Sequence, residues 1–139
     1  MVELVGRVAI VTGAGRGLGR EHARYLAAHG AKVVVNDIGT TNDGRGRDTT
    51  PAQAVVDEIV AAGGDALADA DDVATWTGAE AMVAAAIEAF GDLDIVVNNA
   101  GILRDSTIVN MTEDDFDEVV RVHLKGHVAP TKFAAIHWR

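Results

Sequence analysis

The stretch Thr12-Gly13-Ala14-Gly15-Arg16-Gly17-Leu18-Gly19 constrains this chain more than any other. It follows an apolar run, Val8-Ala9-Ile10-Val11, which reads as a buried strand, and it opens a segment of helical spacing from Leu18 to His29. Strand, glycine-rich turn and helix in that order make a phosphate cradle. Gly13 permits a tight turn, Gly17 lets the backbone approach a pyrophosphate, and Gly19 lets the helix pack closely on the sheet. The helix N-terminus adds free N–H groups and a partial positive charge. Two glycine patterns overlap here. Gly13, Gly15 and Gly17 fit part of G-x-G-x-x-G, and Gly13, Gly17 and Gly19 fill the fuller T-G-x-x-x-G-x-G.

The rest of the chain repeats the strand-and-helix rhythm. Arg7 to Val11 is the first strand and Lys32 to Asn36 the second, a β-branched run suited to a strand covered on both faces. Gly39 to Thr49 reads as a mobile polar loop in which Arg45 and Arg47 are solvated. Thr50, Pro51 and Gln53 predict a capped helix start, and Gly63-Gly64 a stop. Asp65 to Ala70 is a weak third strand, assigned mainly by the rhythm. Thr77 and Glu80 predict a capping box for a helix ending at Gly91, and Leu93 to Val97 is the fourth strand. Thr112 and the acids Glu113, Asp114 and Asp115 open the last helix, with a kink expected at Pro130.

Such alternation predicts an α/β fold: one doubly wound parallel sheet of about four strands in the order 3-2-1-4, with helices on both faces. The dinucleotide-binding domain then covers residues 1–139. Ligands in this arrangement bind beyond the C-terminal strand ends, and three sequence features fall there: the glycine turn, Asp37, and Asn98-Asn99-Ala100-Gly101. Asp37 stands where an acid takes the adenosine ribose hydroxyls. Its charge repels a 2′-phosphate and favours NAD over NADP, while Arg16 pulls the other way. Asp71-Asp72-Val73 can hold an adenine edge or form a solvated acidic loop. The amide turn at Asn98 to Gly101 reads as backbone approaching a ligand, against the plainer alternative of an Asx turn.

Other chemistries are disfavoured. A net charge of −9 argues against nucleic acid and anionic membranes. The absence of cysteine removes disulfides, thiolate nucleophiles and zinc–thiolate sites. His123 and His127, four apart on a helix, lack a third ligand for a metal. With no basic leader and no long apolar run, a cytoplasmic protein is expected.

Taken together, Thr12-Gly13-xxx-Gly17-x-Gly19, Asp37, Asp72-Val73 and Asn98 to Gly101 resemble the short-chain dehydrogenase/reductase family over essentially the whole chain. Val33 to Gly39, Asn98 to Asp105 and Arg121 to Gly126 are similar to the (3R)-hydroxyacyl-CoA dehydrogenase unit of type 2 multifunctional enzymes. The resemblance implies an NAD-dependent oxidoreductase acting on a secondary alcohol or ketone, with 3-hydroxyacyl-CoA as a substrate class. It implies that Gly13, Gly15, Arg16, Gly17, Leu18 and Gly19 hold the pyrophosphate and Asp37 the ribose. Asp71, Asp72 and Val73 would flank the adenine, and Asn98, Asn99, Ala100 and Gly101 would support the nicotinamide half. His123 occupies the family's catalytic Asn position. The family's Ser and Tyr-xxx-Lys are missing: the one tyrosine, Tyr25, precedes His29 rather than a lysine, and the one serine is Ser106. The expectation is the N-terminal part of a longer domain, inactive alone and a homo-oligomer when whole. Two readings stay beside it: a non-catalytic nucleotide-binding module, and a methyltransferase, which also uses a glycine turn and an acid after the second strand.

Overall fold

A computed structural model describes residues 3–139. Four parallel strands form one sheet: β1 (Val8–Thr12), β2 (Lys32–Asn36), β3 (Asp65–Asp69) and β4 (Ile95–Val97), in the order β3-β2-β1-β4. Five helices join and follow them: α1 (Gly17–Ala28), α2 (Thr50–Ala61), α3 (Trp76–Phe90), α4 (Glu113–Val120) and α5 (Gly126–Trp138). The doubly wound order expected from the sequence is the order observed.

The alternation of side chains along β1 and β2 builds two cores. Val11, Val33 and Val35 point to one face and pack with Ala23 and Ala27 of α1 and Val55 and Ile59 of α2. Val8, Ile10 and Val34 point to the other and meet Met82, Val83 and Ala86 of α3 and Ala134 of α5. Both faces being covered is why these strands are unbroken apolar runs.

Several boundaries differ from the sequence reading. β4 begins at Ile95 rather than Leu93, because Asp94 caps the start of β1: Val8 N–H donates to its carboxylate at 2.9 Å and Arg7 Nη1 at 2.6 Å. Thr50 does not cap α2; its N–H instead donates to Asp48 Oδ1 at 2.9 Å. Thr75, not Thr77, caps α3, accepting from Gly78 N–H at 3.0 Å. Thr112 does open α4, in a reciprocal capping box with Asp115. The break in the last helix comes before Pro130. Residues Arg121–Lys125 form one wide π-type turn, with Gly126 N–H reaching back to Arg121 C=O. Buried Pro130 then sits within α5, nine residues after the start of that turn.

The segment from Gly39 to Thr49, read from its composition as a mobile polar loop, carries hydrogen bonds of its own. Asp48 N–H donates to Ile38 C=O at 3.1 Å, and Thr41 N–H to Arg45 C=O at 2.8 Å, closing the segment on itself. Gly39 makes the neck: its φ is +68°, and a Cβ there would sit 1.6 Å from Asp48 O. Among the described residues, no helix is long and apolar enough to cross a membrane.

Candidate functional site

A cavity of 220 Å³ opens beyond the C-terminal ends of the central strands. Gly13 and Arg16 come from the glycine turn, Asp37 from the end of β2, and Asp71 to Val73 from the end of β3. Asn99 to Ile102 follow β4, and Arg121 and Val122 enter from the wide turn after α4. The crevice where the strand order reverses thus gathers most of the residues the sequence singled out.

Asp37 is set by backbone. Its Oδ2 accepts from Gly15 N–H at 2.8 Å and its Oδ1 from Gly39 N–H at 2.7 Å. A Cβ on Gly15 would lie 2.8 Å from that carboxylate, so the glycine is what lets the turn close on the acid. Gly13 and Gly19 serve close approach. A Cβ at Gly13 would sit 2.8 Å from Ala100 Cα, and one at Gly19 only 2.2 Å from Gly13 O. Gly17 is different. Its φ of +56° needs glycine, yet a Cβ there would meet nothing within 4 Å. Open space in front of a glycine at a helix N-terminus, beside a carboxylate on a strand end, fits a dinucleotide. Leu18, 73% exposed on the first turn of α1, lies outside the cavity lining.

Buried Thr12 joins the glycine turn to the amide turn. Its Oγ1 donates to Val97 C=O at 3.3 Å and accepts from the N–H groups of Asn99 and Ala100, each at 3.0 Å. Asn99 Nδ2 returns to Thr12 O at 3.0 Å and Gly13 O at 3.1 Å. Asn99 therefore shapes the cradle from behind. Asn98 lies outside the cavity wall, and its Nδ2 donates to Thr131 Oγ1 on α5 at 3.0 Å.

On the far wall the acids are mostly engaged. Asp72 Oδ1 accepts from Ala74 N–H at 2.9 Å and Oδ2 from Arg121 Nη1 at 3.0 Å. Arg121 is held still more firmly protonated, first by its hydrogen bond to Glu118 and then by Asp72. Asp72 thus ties the β3 loop to the wide turn, with Val73 beside it in the cavity wall. Beneath lies a buried amide: Asn36 Nδ2 donates to Asp69 Oδ2 at 2.6 Å and to Asp71 C=O at 2.9 Å. Burial pushes the Asp69 carboxyl up to about 6, opposed by the bond from Asn36.

The two histidines of the last helix grip one loop. His123 Nε2 lies 3.1 Å from Ile102 N and 2.8 Å from Ile102 O, and His127 Nε2 lies 3.2 Å from Ala100 O. Which Ile102 group His123 engages follows from its tautomer. The ring packs on Gly101, where a Cβ would come within 2.7 Å of it. His123 borders a second recess of 380 Å³ with Leu103, Met111, Phe116 and Val119.

Thr12, Asn36, Asp69, Arg104 and Arg121 were not singled out as site residues by the sequence reading. Thr12 and Asn36 carried a usable signal: each is a polar residue ending an otherwise apolar strand, where a buried side chain needs a partner.

The profile of the short chain dehydrogenase family matches residues 7–139. The chain is 54% identical over 129 residues to the peroxisomal multifunctional enzyme type 2 of Drosophila melanogaster, covering 93% of this chain and 21% of that protein. It is 47% identical to a hydroxyacyl-CoA dehydrogenase of Mycobacterium tuberculosis, covering 99% of this chain and 42% of that one. The crystal structure of a short chain dehydrogenase from Mycobacterium avium superposes with a TM-score of 0.90 at 55% identity, over 99% of this chain and 48% of that one. The chain spans less than half the length of these relatives. With the sheet order, the cradle and the amide turn in place, it belongs to the short chain dehydrogenase family.

Proposed function

We infer that residues 1–139 are the cofactor-binding part of a longer NAD-dependent dehydrogenase domain. The observation that carries this reading is the placement of Asp37, fixed by two backbone N–H groups at the rim of the cavity and facing the glycine turn. A carboxylate so held accepts the ribose hydroxyls and repels a 2′-phosphate. Arg16 lines the same cavity with its Nη2 donating to Thr40 C=O at 3.0 Å, and it remains the group that would favour a 2′-phosphate against Asp37. The Gly13–Gly19 turn and the start of α1 would hold the pyrophosphate, and Val73 would border the adenine.

The bound nicotinamide would exchange hydride with a secondary alcohol or ketone. The relatives named for hydroxyacyl-CoA and multifunctional enzymes make 3-hydroxyacyl-CoA our preferred substrate class. This chain has no Tyr-xxx-Lys and its one serine lies in the loop after β4, so the proton-transfer groups belong to the rest of the domain. His123 grips Ile102, and we give it a holding part rather than a chemical one. Exposed Phe116, Val120, Leu124 and Val128, spaced by four along α4 to α5, support a homo-oligomer of the whole protein. Peroxisomal and bacterial relatives match at comparable identity, so a cytosolic or a peroxisomal setting is proposed.

Titration of the protein with NAD, NADP and S-adenosylmethionine tests the reading. NAD should bind at least about tenfold more tightly than NADP, and Asp37→Ala should cost NAD about 1.4 kcal/mol or more. Tighter binding of NADP or of S-adenosylmethionine would overturn it. A non-catalytic module is the second reading, favoured by the missing Tyr-xxx-Lys. Turnover of a 3-hydroxyacyl-CoA by the intact natural protein excludes it, and its intact mass shows whether the remaining domain is attached.

A further inference from the structure

The 39–49 segment does more than connect β2 to α2. It leans across the end of β1 toward the loop after β4, and Thr40, Thr41, Asn42 and Gly44 form one wall of the cavity. At its near end Arg16 donates to Thr40 C=O at 3.0 Å. At its far end Leu103 N–H donates to Asn42 C=O at 2.7 Å, and Gly44 rests on Ile102, to whose Cδ1 a Cβ would come within 3.0 Å. Arg104 closes the span. Its Nε donates to Asp43 C=O at 2.8 Å and its Nη1 to Asp114 Oδ2 at 2.6 Å, with Asp115 Oδ1 3.7 Å away. The Arg104 side chain is only 8% exposed, although it lies between two surface segments. A charge so covered is retained where its fork of donors is used, and here it joins the strap to the first turn of α4.

We propose that Arg104 is a positioning residue that clasps the 39–49 strap over the adenosine half of the dinucleotide site and thereby slows cofactor release. The inference rests on the NAD reading above. It also links the cofactor cavity to the second recess, because Arg104 and Asp115 border that recess while Asp43, which Arg104 binds, stands on the strap. The residue acts through the strap and touches no reacting atom.

Two measurements test this on the purified protein, with NAD and AMP as probes. Trypsin cleavage after Arg45 and Arg47, in the exposed part of the strap, is followed by mass spectrometry. In the unchanged protein both NAD and AMP should slow these two cuts. Arg104→Ala should speed them selectively, abolish most of the protection, and raise the NAD dissociation rate about tenfold with little change in association rate. Arg104→Lys, which keeps the charge but loses the fork, should restore only part of the protection. Asp114→Ala, at a largely exposed position, removes one of the two anchors of Arg104 and provides a folded variant with a smaller effect in the same direction. Equal NAD dissociation and equal cleavage at Arg45 and Arg47 in all four proteins would overturn the clasp while leaving NAD binding intact. Faster cleavage at every arginine alike would reduce Arg104 to general stability and overturn it too. Failure of the unchanged protein to bind NAD would sink the NAD reading and this inference with it.

Discussion

Two sides of this small sheet are finished to different degrees. At the C-terminal ends of β1 and β2 every strand residue from Val33 to Asn36 is buried, and the buried polar groups there are engaged. Thr12 makes three hydrogen bonds, and Asn36 and Asn99 each spend their amide N–H groups on two acceptors. Around β4 the picture reverses. The strand is only half buried and pairs with β1 alone among the described strands. Asn98 Oδ1 is buried without a hydrogen-bond partner among the described residues, and the outer face of α4 to α5 leaves Phe116, Val120, Leu124 and Val128 to water. The contrast teaches where this chain's own contacts suffice. The cofactor cradle is complete in its polar bookkeeping, whereas the β4 side presents exposed apolar side chains and, among the described strands, an unpaired edge.

The sharpest break of this contrast is Gly19→Ala. A Cβ within 2.2 Å of Gly13 O forces the backbone of the cradle apart. A loss of about 3 kcal/mol, seen as a lower melting temperature, should accompany complete loss of NAD binding. Thr12→Val comes next. It leaves the Ala100 N–H without its acceptor in a part-buried place, while the Asn99 N–H keeps Val97 C=O at 3.0 Å, at a cost of about 1–2 kcal/mol by denaturant titration. A loss under about 0.5 kcal/mol would show that the cradle is less tightly satisfied than its hydrogen bonds imply.

Asp69 sharpens the comparison through pH. Burial raises its carboxyl from an ordinary 3.8 to about 6, so the folded protein holds this proton more tightly than the unfolded chain. Its contribution is therefore greatest below about pH 4 and is lost as pH rises to about 6, after which it is level. At full burial such a displacement is worth about 3 kcal/mol, and with Asp69 partly in water about 1–2 kcal/mol is expected. Asp69→Asn should flatten stability between about pH 4 and 6 by that amount. An unchanged pH profile would remove Asp69 from the account. The smallest effect belongs to the other side: Leu124→Ser should change the stability of this chain by less than about 1 kcal/mol, since most of that side chain is in water. A large loss would mean that this face is covered in solution.

The parts of this protein that were legible in advance are those encoded by near neighbours. Runs such as Val33-Val34-Val35 state their own burial on two faces, and the glycines at 13, 17 and 19 state where backbone must turn or crowd. From these the sheet order and the position of the crevice followed. Cap positions slipped because a threonine at 75 or 77 looks equally able to accept an N–H, and only the chain's path selects one.

The site's supports were decided by tertiary structure. Arg104 looks like an ordinary surface arginine until the loop after β4 brings it to Asp43, distant in sequence, and to Asp114 in the first turn of α4. His123 and His127 suit a metal pair by spacing, yet folding turns both rings onto the backbone of residues 100–102. Asn98 and Asn99 are adjacent and identical, but successive side chains at a strand end point opposite ways, so one joins the cradle and the other faces α5. Local sequence sets periodicity and backbone freedom, which require only neighbours. The partner of a polar side chain is chosen by whatever the fold brings within about 3 Å, and no local pattern carries that distance.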